Sequence, residues 1–172
     1  MALCELEEVK LYLGMTVTTN DTLLEMLIDS ASSYIESYTN RIFEIQEYTE
    51  IINGTGTNRL PVSYAPIFNV NSVTSIYGIG VTPQFTKNLI YLTDGTIFTE
   101  GKMNWTVNYE AGFEEIPYDV RQACIDMVAF KYKEKDRIGI NTKTLAGEVI
   151  SFEKRDLKDH IRSLLANYIR VC

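Results

Sequence analysis

Val107-Asn-Tyr-Glu-Ala-Gly-Phe-Glu-Glu-Ile-Pro-Tyr-Asp-Val-Arg-Gln-Ala-Cys-Ile-Asp-Met-Val-Ala129 decides the fold, because a strand pattern ends and a helix pattern begins inside it. Val107 and Tyr109 close an Asn104–Tyr109 run of strand-forming residues. Gly112 supplies a bend that no side chain permits. Pro117 fits the first helical turn, where its missing N–H costs nothing. Beyond it Val120, Cys124, Met127, Val128 and Lys131 fall on one side, with Ala123 and Phe130 close by. That spacing predicts a helix over about Tyr118–Asp136. Gly112 and Pro117 are the candidate structural junction.

Upstream, residues 43–110 are rich in Thr, Ile, Val, Tyr and Phe, punctuated by turn residues. Phe43 and Ile45 open an alternating run that reaches Ile52. Asn53-Gly-Thr-Gly-Thr-Asn58 reads as a hairpin turn, with Arg59–Val62 as the return strand. Val70–Tyr77, Leu89–Leu92, Thr96–Phe98 and Asn104–Tyr109 are further strands, and Thr93-Asp94-Gly95-Thr96 signals a hairpin between two of them. The expectation is a small antiparallel β-domain of about six strands.

Helices flank it. Glu5–Leu13 places Leu6, Val9 and Leu13 on one face, and Gly14 stops it. Asp21–Tyr38 carries Leu24, Leu27, Ile28, Ala31, Ile35 and Tyr38 at helical spacing. Asn20 can cap it, Thr22 with Glu25 offers an alternative capping box, and Asn40 ends it. Arg137–Ile150 holds Gly139 and Gly147 and reads as a mobile loop. Lys154–Ile169 is a final helix, with Leu157, Ile161, Leu164, Leu165 and Tyr168 keeping the spacing. Short helices bury little alone, so those from both ends must pack together. The predicted class is α+β: a bundle of about four helices (1–42 and 111–172) with an inserted antiparallel β-domain (43–110).

Composition narrows the function. A chain of 172 residues buries about 70% of its unfolded surface. With 45% hydrophobic and 23% charged residues it is ordinary for a globular chain. A net charge of -7 argues against a protein that wraps DNA. The charge is uneven: residues 1–115 hold five Lys or Arg against fifteen Asp or Glu, and residues 116–172 hold eleven against eight. Ordinary surface variation explains this; the sharper reading is head-to-tail self-association, which can close into a ring. No apolar run approaches the roughly 18 residues of a membrane span. The acidic stretch Met1–Glu8 lacks the basic and apolar regions of a secretory signal. Cys4, Cys124 and Cys172 lie far apart without a CxxC, which leads to the expectation of reduced, structural thiols.

The search for catalytic chemistry ends without a motif. His160 is the single histidine. It sits in a helical pattern one turn after Asp156 and reads as part of a solvated face with a weak i,i+4 pair. Glu7-Glu8 opens a helix and Glu114-Glu115 precedes one, where negative charge suits the helix dipole. Gly54-Thr-Gly56 lacks the Gly-Lys-Ser/Thr ending of a phosphate loop, and Gly78-Ile-Gly80 has no third glycine. The sequence therefore predicts no enzyme, cofactor or metal site.

Three stretches resemble the head–tail connector (adaptor) family of tailed double-stranded-DNA phages. They are Leu6–Gly14 with Asp21–Tyr38, then Val107–Phe113 with Ile116–Tyr132, then, more weakly, Leu157–Tyr168. Together they cover about half the chain, and the strand–Tyr-x-Ala-Gly–Pro–helix junction is the most specific part. The resemblance implies a structural virion protein of the neck, assembled in the bacterial host cytoplasm. It implies a homo-oligomeric ring, typically dodecameric, under the portal protein, extending the DNA channel towards a stopper or tail-completion protein. DNA would pass without specific binding, and no membrane is involved. The β-insertion departs from the small all-helical members.

Within that reading, Arg137, Lys143, Lys154, Arg155, Lys158 and Arg162 form a candidate portal-docking segment, on their basic bias and the Gly-containing loop beside them. Tyr64, Phe68 and Tyr77 are candidate partner-contact aromatics, with core packing the alternative for each. The rival readings are another head-completion or tail-terminator ring protein, a small hydrolase in the β-domain, and a host binding module.

Overall fold

A computed structural model describes residues 2–135, 142–145, 148–151 and 159–170. The chain divides into two compact units, Met1–Arg41 with Ile116–Cys172, and Ile42–Glu115. The fold class is α+β.

In the helical unit, α1 spans Leu6–Leu13, α2 Asp21–Thr39, α3 Tyr118–Glu134 and α4 Asp159–Leu165, followed by a 3-10 turn over Ala166–Tyr168. Helix α1 starts where the Glu8 carboxylate accepts the Glu5 N–H at 2.9 Å, and stops where Gly14 turns left-handed at φ 67°. Asn40, at φ 49°, ends α2 in the same way. The buried stripe of α2 is Leu24, Ile28, Ala31 and Ile35. Helix α3 packs against α1, α2 and α4. Its buried residues, Val120, Ala123, Cys124, Ile125, Met127, Val128 and Ala129, therefore cover more than one face. Pro117 is its N-cap, and the Pro117 carbonyl accepts the Arg121 N–H at 3.0 Å.

Two local expectations change here. Asn20 holds the N-cap position of α2, but its side chain makes no cap bond; its Nδ2 donates to Tyr132 Oη of α3 at 3.0 Å. The expected loop at 137–150 contains β8 (Thr142–Leu145) and β9 (Glu148–Ser151), paired antiparallel from Thr142↔Ser151 to Leu145↔Glu148. Thr-Lys-Thr-Leu and Glu-Val-Ile-Ser carry β-branched residues that suit a ladder, and the Gly signal between them outweighed that in the sequence. Residues 152–158 of the expected last helix lie outside the described residues.

The β-unit has β1 (Gln46–Gly54), β2 (Arg59–Pro61), β3 (Ile67–Ser75), β4 (Gly80–Val81), β5 (Gln84–Phe85), β6 (Leu89–Tyr91) and β7 (Gly101–Ala111). These seven strands form a sheet of order β1-β7-β3-β4 and a smaller one of order β2-β6-β5. Strand β7 is central to the larger sheet, and its Trp105, Val107, Tyr109 and Ala111 alternate into the core. Leu60, Ile67, Val73, Ile90, Leu92 and Phe98 complete that core.

Neither expected hairpin forms. Strand β1 pairs with β7, and β2 pairs with β6, so residues 53–58 turn a corner between sheets. Gly54 is needed there for a different reason: a Cβ would lie 1.8 Å from the Thr99 carbonyl oxygen. The Asp94-Gly95 turn exists, with Asp94 Oδ1 accepting the Thr96 N–H at 3.0 Å. The chain then leaves the sheet instead of returning along β6. Phe98 is fully buried, and its backbone bonds the corner through Phe98 N–H to Thr57 O at 2.7 Å and Gly56 N–H to Phe98 O at 2.8 Å. Burial of one large ring decides the path over the turn signal.

Gly112 ends β7 at φ 145°, and a Cβ there would meet Glu44 O at 2.5 Å and Ile45 Cα at 2.6 Å. Its N–H reaches Pro66 O at 3.0 Å, and the next N–H, of Phe113, reaches Phe43 O at 2.9 Å. Phe43 and Phe113 stack at 5.8 Å.

Candidate functional site

The three candidate contact aromatics separate in the β-unit. Tyr64 is half-buried and stacks on Tyr48 with ring centroids 3.9 Å apart. Its backbone N–H donates to Tyr109 Oη at 3.0 Å, and that hydroxyl donates in turn to the Glu50 carboxylate. Burial first, and then the Glu50 carboxylate, push the Tyr109 phenol above its ordinary range. Tyr64 thus belongs to an internal aromatic cluster. Phe68 is exposed on β3, and Tyr77 is 78% exposed in the β3–β4 turn.

Tyr77 has apolar company that the sequence reading missed. Ile76, Ile79 and Ile97 are all more than half exposed. A groove of about 550 Å³ is lined by Ile76, Tyr77, Ile79, Val81, Ile97 and Trp105, with Glu100 and Lys102 among its polar residues. Exposed apolar residues collected in one place are the usual mark of an interaction surface. Phe68 does not line this groove. The available signal was Ser75-Ile-Tyr-Gly-Ile-Gly80, an apolar run inside turn residues where core strands do not continue.

The groove is shaped by a buried amide. Asn104 Oδ1 accepts the Gly54 N–H at 2.7 Å, its Nδ2 donates to Thr99 O at 2.9 Å, and its carbonyl accepts the Ile76 N–H at 3.0 Å. Trp105 Nε1 also donates to Thr99 O, at 3.3 Å.

The candidate basic segment is described only in part. Arg162 is half-exposed on α4, with Asp159 at 3.8 Å. Lys143 lies on β8. Arg137, Lys154, Arg155 and Lys158 lie outside the described residues. Leu11 and Tyr118 add strongly exposed apolar side chains to the helical unit.

His160 pairs across helices, while Asp156, its expected i,i+4 partner, lies outside the described residues. Its Nε2 lies 2.7 Å from Asp126 Oδ2 of α3, and Asp126 Oδ1 accepts from Gln122 Nε2 at 2.9 Å. A hydrogen bond to Asp126 also raises the Tyr12 phenol above its ordinary value. Tyr12, Asp126, Lys133 and His160 line a second groove of about 550 Å³ in the helical unit. Ser163 does not extend this pair into a nucleophile: its hydroxyl donates to the His160 carbonyl oxygen at 2.7 Å. The pair clips α4 to α3. Glu8 is likewise structural, holding the start of α1 and pairing with Arg121 of α3 at 3.2 Å.

A family model for head completion proteins matches residues 2–171. The chain belongs to the head completion protein family. Its fold recurs in the neck of an empty GTA particle computed with C6 symmetry, at 15% identity and a TM-score of 0.57, covering 99% of this chain and 91% of that one. It recurs in the virion of a native gene transfer agent particle, at 15% identity and a TM-score of 0.58, with the same coverage. It recurs again in the neck of a native GTA particle computed with C12 symmetry, at 14% identity and a TM-score of 0.54, covering 87% and 83%. No curated protein matches the chain. The family match agrees with the connector resemblance read from the sequence.

Proposed function

We infer that this head completion protein is a ring-forming connector of the virion neck. Copies assemble in the bacterial cytoplasm beneath the portal, extend the DNA channel and join the capsid to the next tail-side protein. The carrying observation is the family match over residues 2–171. Occurrence of the fold in necks computed with C6 and C12 symmetry supports a ring. The acidic balance of the chain suits a conduit, since a surface poor in net positive charge does not hold phosphate.

The two surfaces take different roles. The basic segment from 137 through α4 docks on the portal. The apolar rim around Tyr77 and Ile79 meets a neighbouring subunit or the tail-side protein, with Phe68 as a separate contact. Tyr64 supports the rim unit from within.

Affinity purification of the tagged chain from its natural lysate, with electron microscopy, tests the assignment. Label at a single vertex of DNA-filled heads, or at isolated necks, is expected. Recovery as a free protein without capsid, portal or tail components refutes it. A chain ending at Asp136 is expected to lose portal binding in a pull-down; retained binding removes the docking role from the basic segment.

A further inference from the structure

Cys4 and Cys124 are 120 residues apart in sequence, yet the helical unit brings their sulfurs to 3.3 Å. Cys4 lies just ahead of α1, in a stretch anchored by the Leu3 N–H, which donates to Ser32 Oγ at 3.0 Å. Cys124 is in the middle of α3, and Ser32 of α2 touches its sulfur at 3.7 Å. Both are free thiols, and both are buried. Three segments of the unit therefore meet at one sulfur pair.

We propose that Cys4 and Cys124 are a cross-linking site, which a small disulfide oxidant such as oxidised glutathione converts to an intramolecular disulfide tying the segment ahead of α1 to α3. The proposal stands on the helical unit alone and does not depend on the neck assignment. Cys4 is the entry point, because it lies outside any helix, whereas Cys124 is locked in the α3 ladder. Local opening of residues 2–5 exposes the Cys4 sulfur. Its thiolate attacks one sulfur of oxidised glutathione and expels the first glutathione thiolate, which takes up the proton Cys4 lost. When the segment reseats, the Cys124 thiolate attacks Cys4 Sγ of the mixed disulfide. The second glutathione thiolate leaves and takes the Cys124 proton. Two thiols are oxidised, one glutathione disulfide is reduced, and two glutathione molecules carry away the two protons.

The second step suits its nucleophile. Cys4 Sγ has no proton left to donate once it is in the mixed disulfide, but the Ser32 hydroxyl, 3.7 Å from Cys124 Sγ, remains, and its hydrogen bond favours the Cys124 thiolate. A reducing compartment keeps the pair as thiols, and an oxidising one closes it.

The test uses the full chain. Folded protein is incubated with oxidised glutathione, unfolded in urea, alkylated with iodoacetamide and mapped by mass spectrometry. The expected product joins the Cys4 and Cys124 peptides, is released by reductant, and leaves Cys172 out of the cross-link. Oxidation is expected to raise the urea midpoint of the wild type and leave that of Cys4→Ser unchanged. Cys4→Ala is the alternative should the serine variant fold poorly. Recovery of Cys4 and Cys124 as free or singly glutathione-capped thiols overturns the proposal. So does a cross-link that forms only when oxidant is added to protein already in urea.

Discussion

Gly112→Ala gives a sharp test of how the β-unit is built. Two costs are separable at this position. The first is conformational: φ 145° lies in a region that L side chains rarely adopt, which costs about 1–3 kcal/mol. The second is steric. A Cβ would lie 2.5 Å from Glu44 O and 2.6 Å from both Glu44 C and Ile45 Cα, all backbone atoms. They cannot yield cheaply, because the Phe113 N–H is bonded to Phe43 O at 2.9 Å and β1 begins at Gln46. Forced overpacking of that kind costs about 1–3 kcal/mol. The sum is about 2–6 kcal/mol, the upper part of which few point mutations reach.

Gly95→Ala is the matched control. Gly95 also has positive φ, at 83°, in the same unit, but nothing lies within 4 Å of its added Cβ. It pays the conformational cost alone. The assay is urea denaturation followed by fluorescence of Trp105, the single tryptophan, which is buried in the β-unit core. With a denaturant slope of about 1.5 kcal/mol/M, Gly112→Ala is expected to lower the midpoint by about 0.7–2 M more than Gly95→Ala. Equal midpoints for the two variants would refute the close approach of β7's end to residues 44–45.

Tyr109→Phe removes a hydroxyl that serves both Glu50 and the Tyr64 N–H, and is expected to cost about 1–3 kcal/mol. It also changes the alkaline limb: the folded phenol holds its proton above pH 10, where the unfolded phenol loses it, so the wild type loses stability as pH rises past about 10. Tyr109→Phe is expected to flatten that limb in parallel urea titrations at pH 8 to 11. Asp126→Asn is expected to cost less than about 1 kcal/mol, because His160 is more than half exposed, and to return the Tyr12 phenol to its ordinary value in an ultraviolet titration. Tyr64→Ala is expected to lower the thermal midpoint, whereas Tyr77→Ala leaves it within about 2 °C and weakens neck assembly instead, read by sedimentation of assembled particles.

The helices were legible because a 3.6-residue period is local. Leu24, Ile28, Ala31 and Ile35 announce one buried stripe wherever the rest of the chain goes. The Gly112–Pro117 junction was legible for the same reason. Strand partners were not, because pairing is a long-range choice. Asn53-Gly54 has the chemistry of a hairpin turn, yet Gly54 is required by the Thr99 carbonyl, which no nearby residue predicts. Tyr64 and Tyr77 look alike in sequence, and only the ring of Tyr48 makes one of them internal. The approach of His160 to Asp126, on another helix, has no local signal either. The sulfur pair was invisible for the same reason.

The apolar rim of the β-unit is held in shape before any partner arrives, which bears on how it would bind. A flexible loop carrying Ile76, Tyr77 and Ile79 would lose conformational entropy on docking, about 0.5–1.5 kcal/mol for each side chain immobilised and more for the backbone. Here the backbone cost is already met in folding. Asn104 fixes Gly54, Thr99 and Ile76 together through one amide and one carbonyl. Ser75 closes the turn from the other side, accepting the Gly78 N–H and donating its own to Ile79 O, both at 2.9 Å. Trp105 packs edge-on against Phe98 beneath, with ring centroids 5.2 Å apart, so the groove floor rests on the core. In the proposed ring each copy would form the same contacts, and a small saving in each would be multiplied by the number of subunits. That multiplication favours a rigid apolar rim over a larger flexible one, and it gives a reason for a buried asparagine whose amide satisfies the Gly54 N–H and the Thr99 carbonyl.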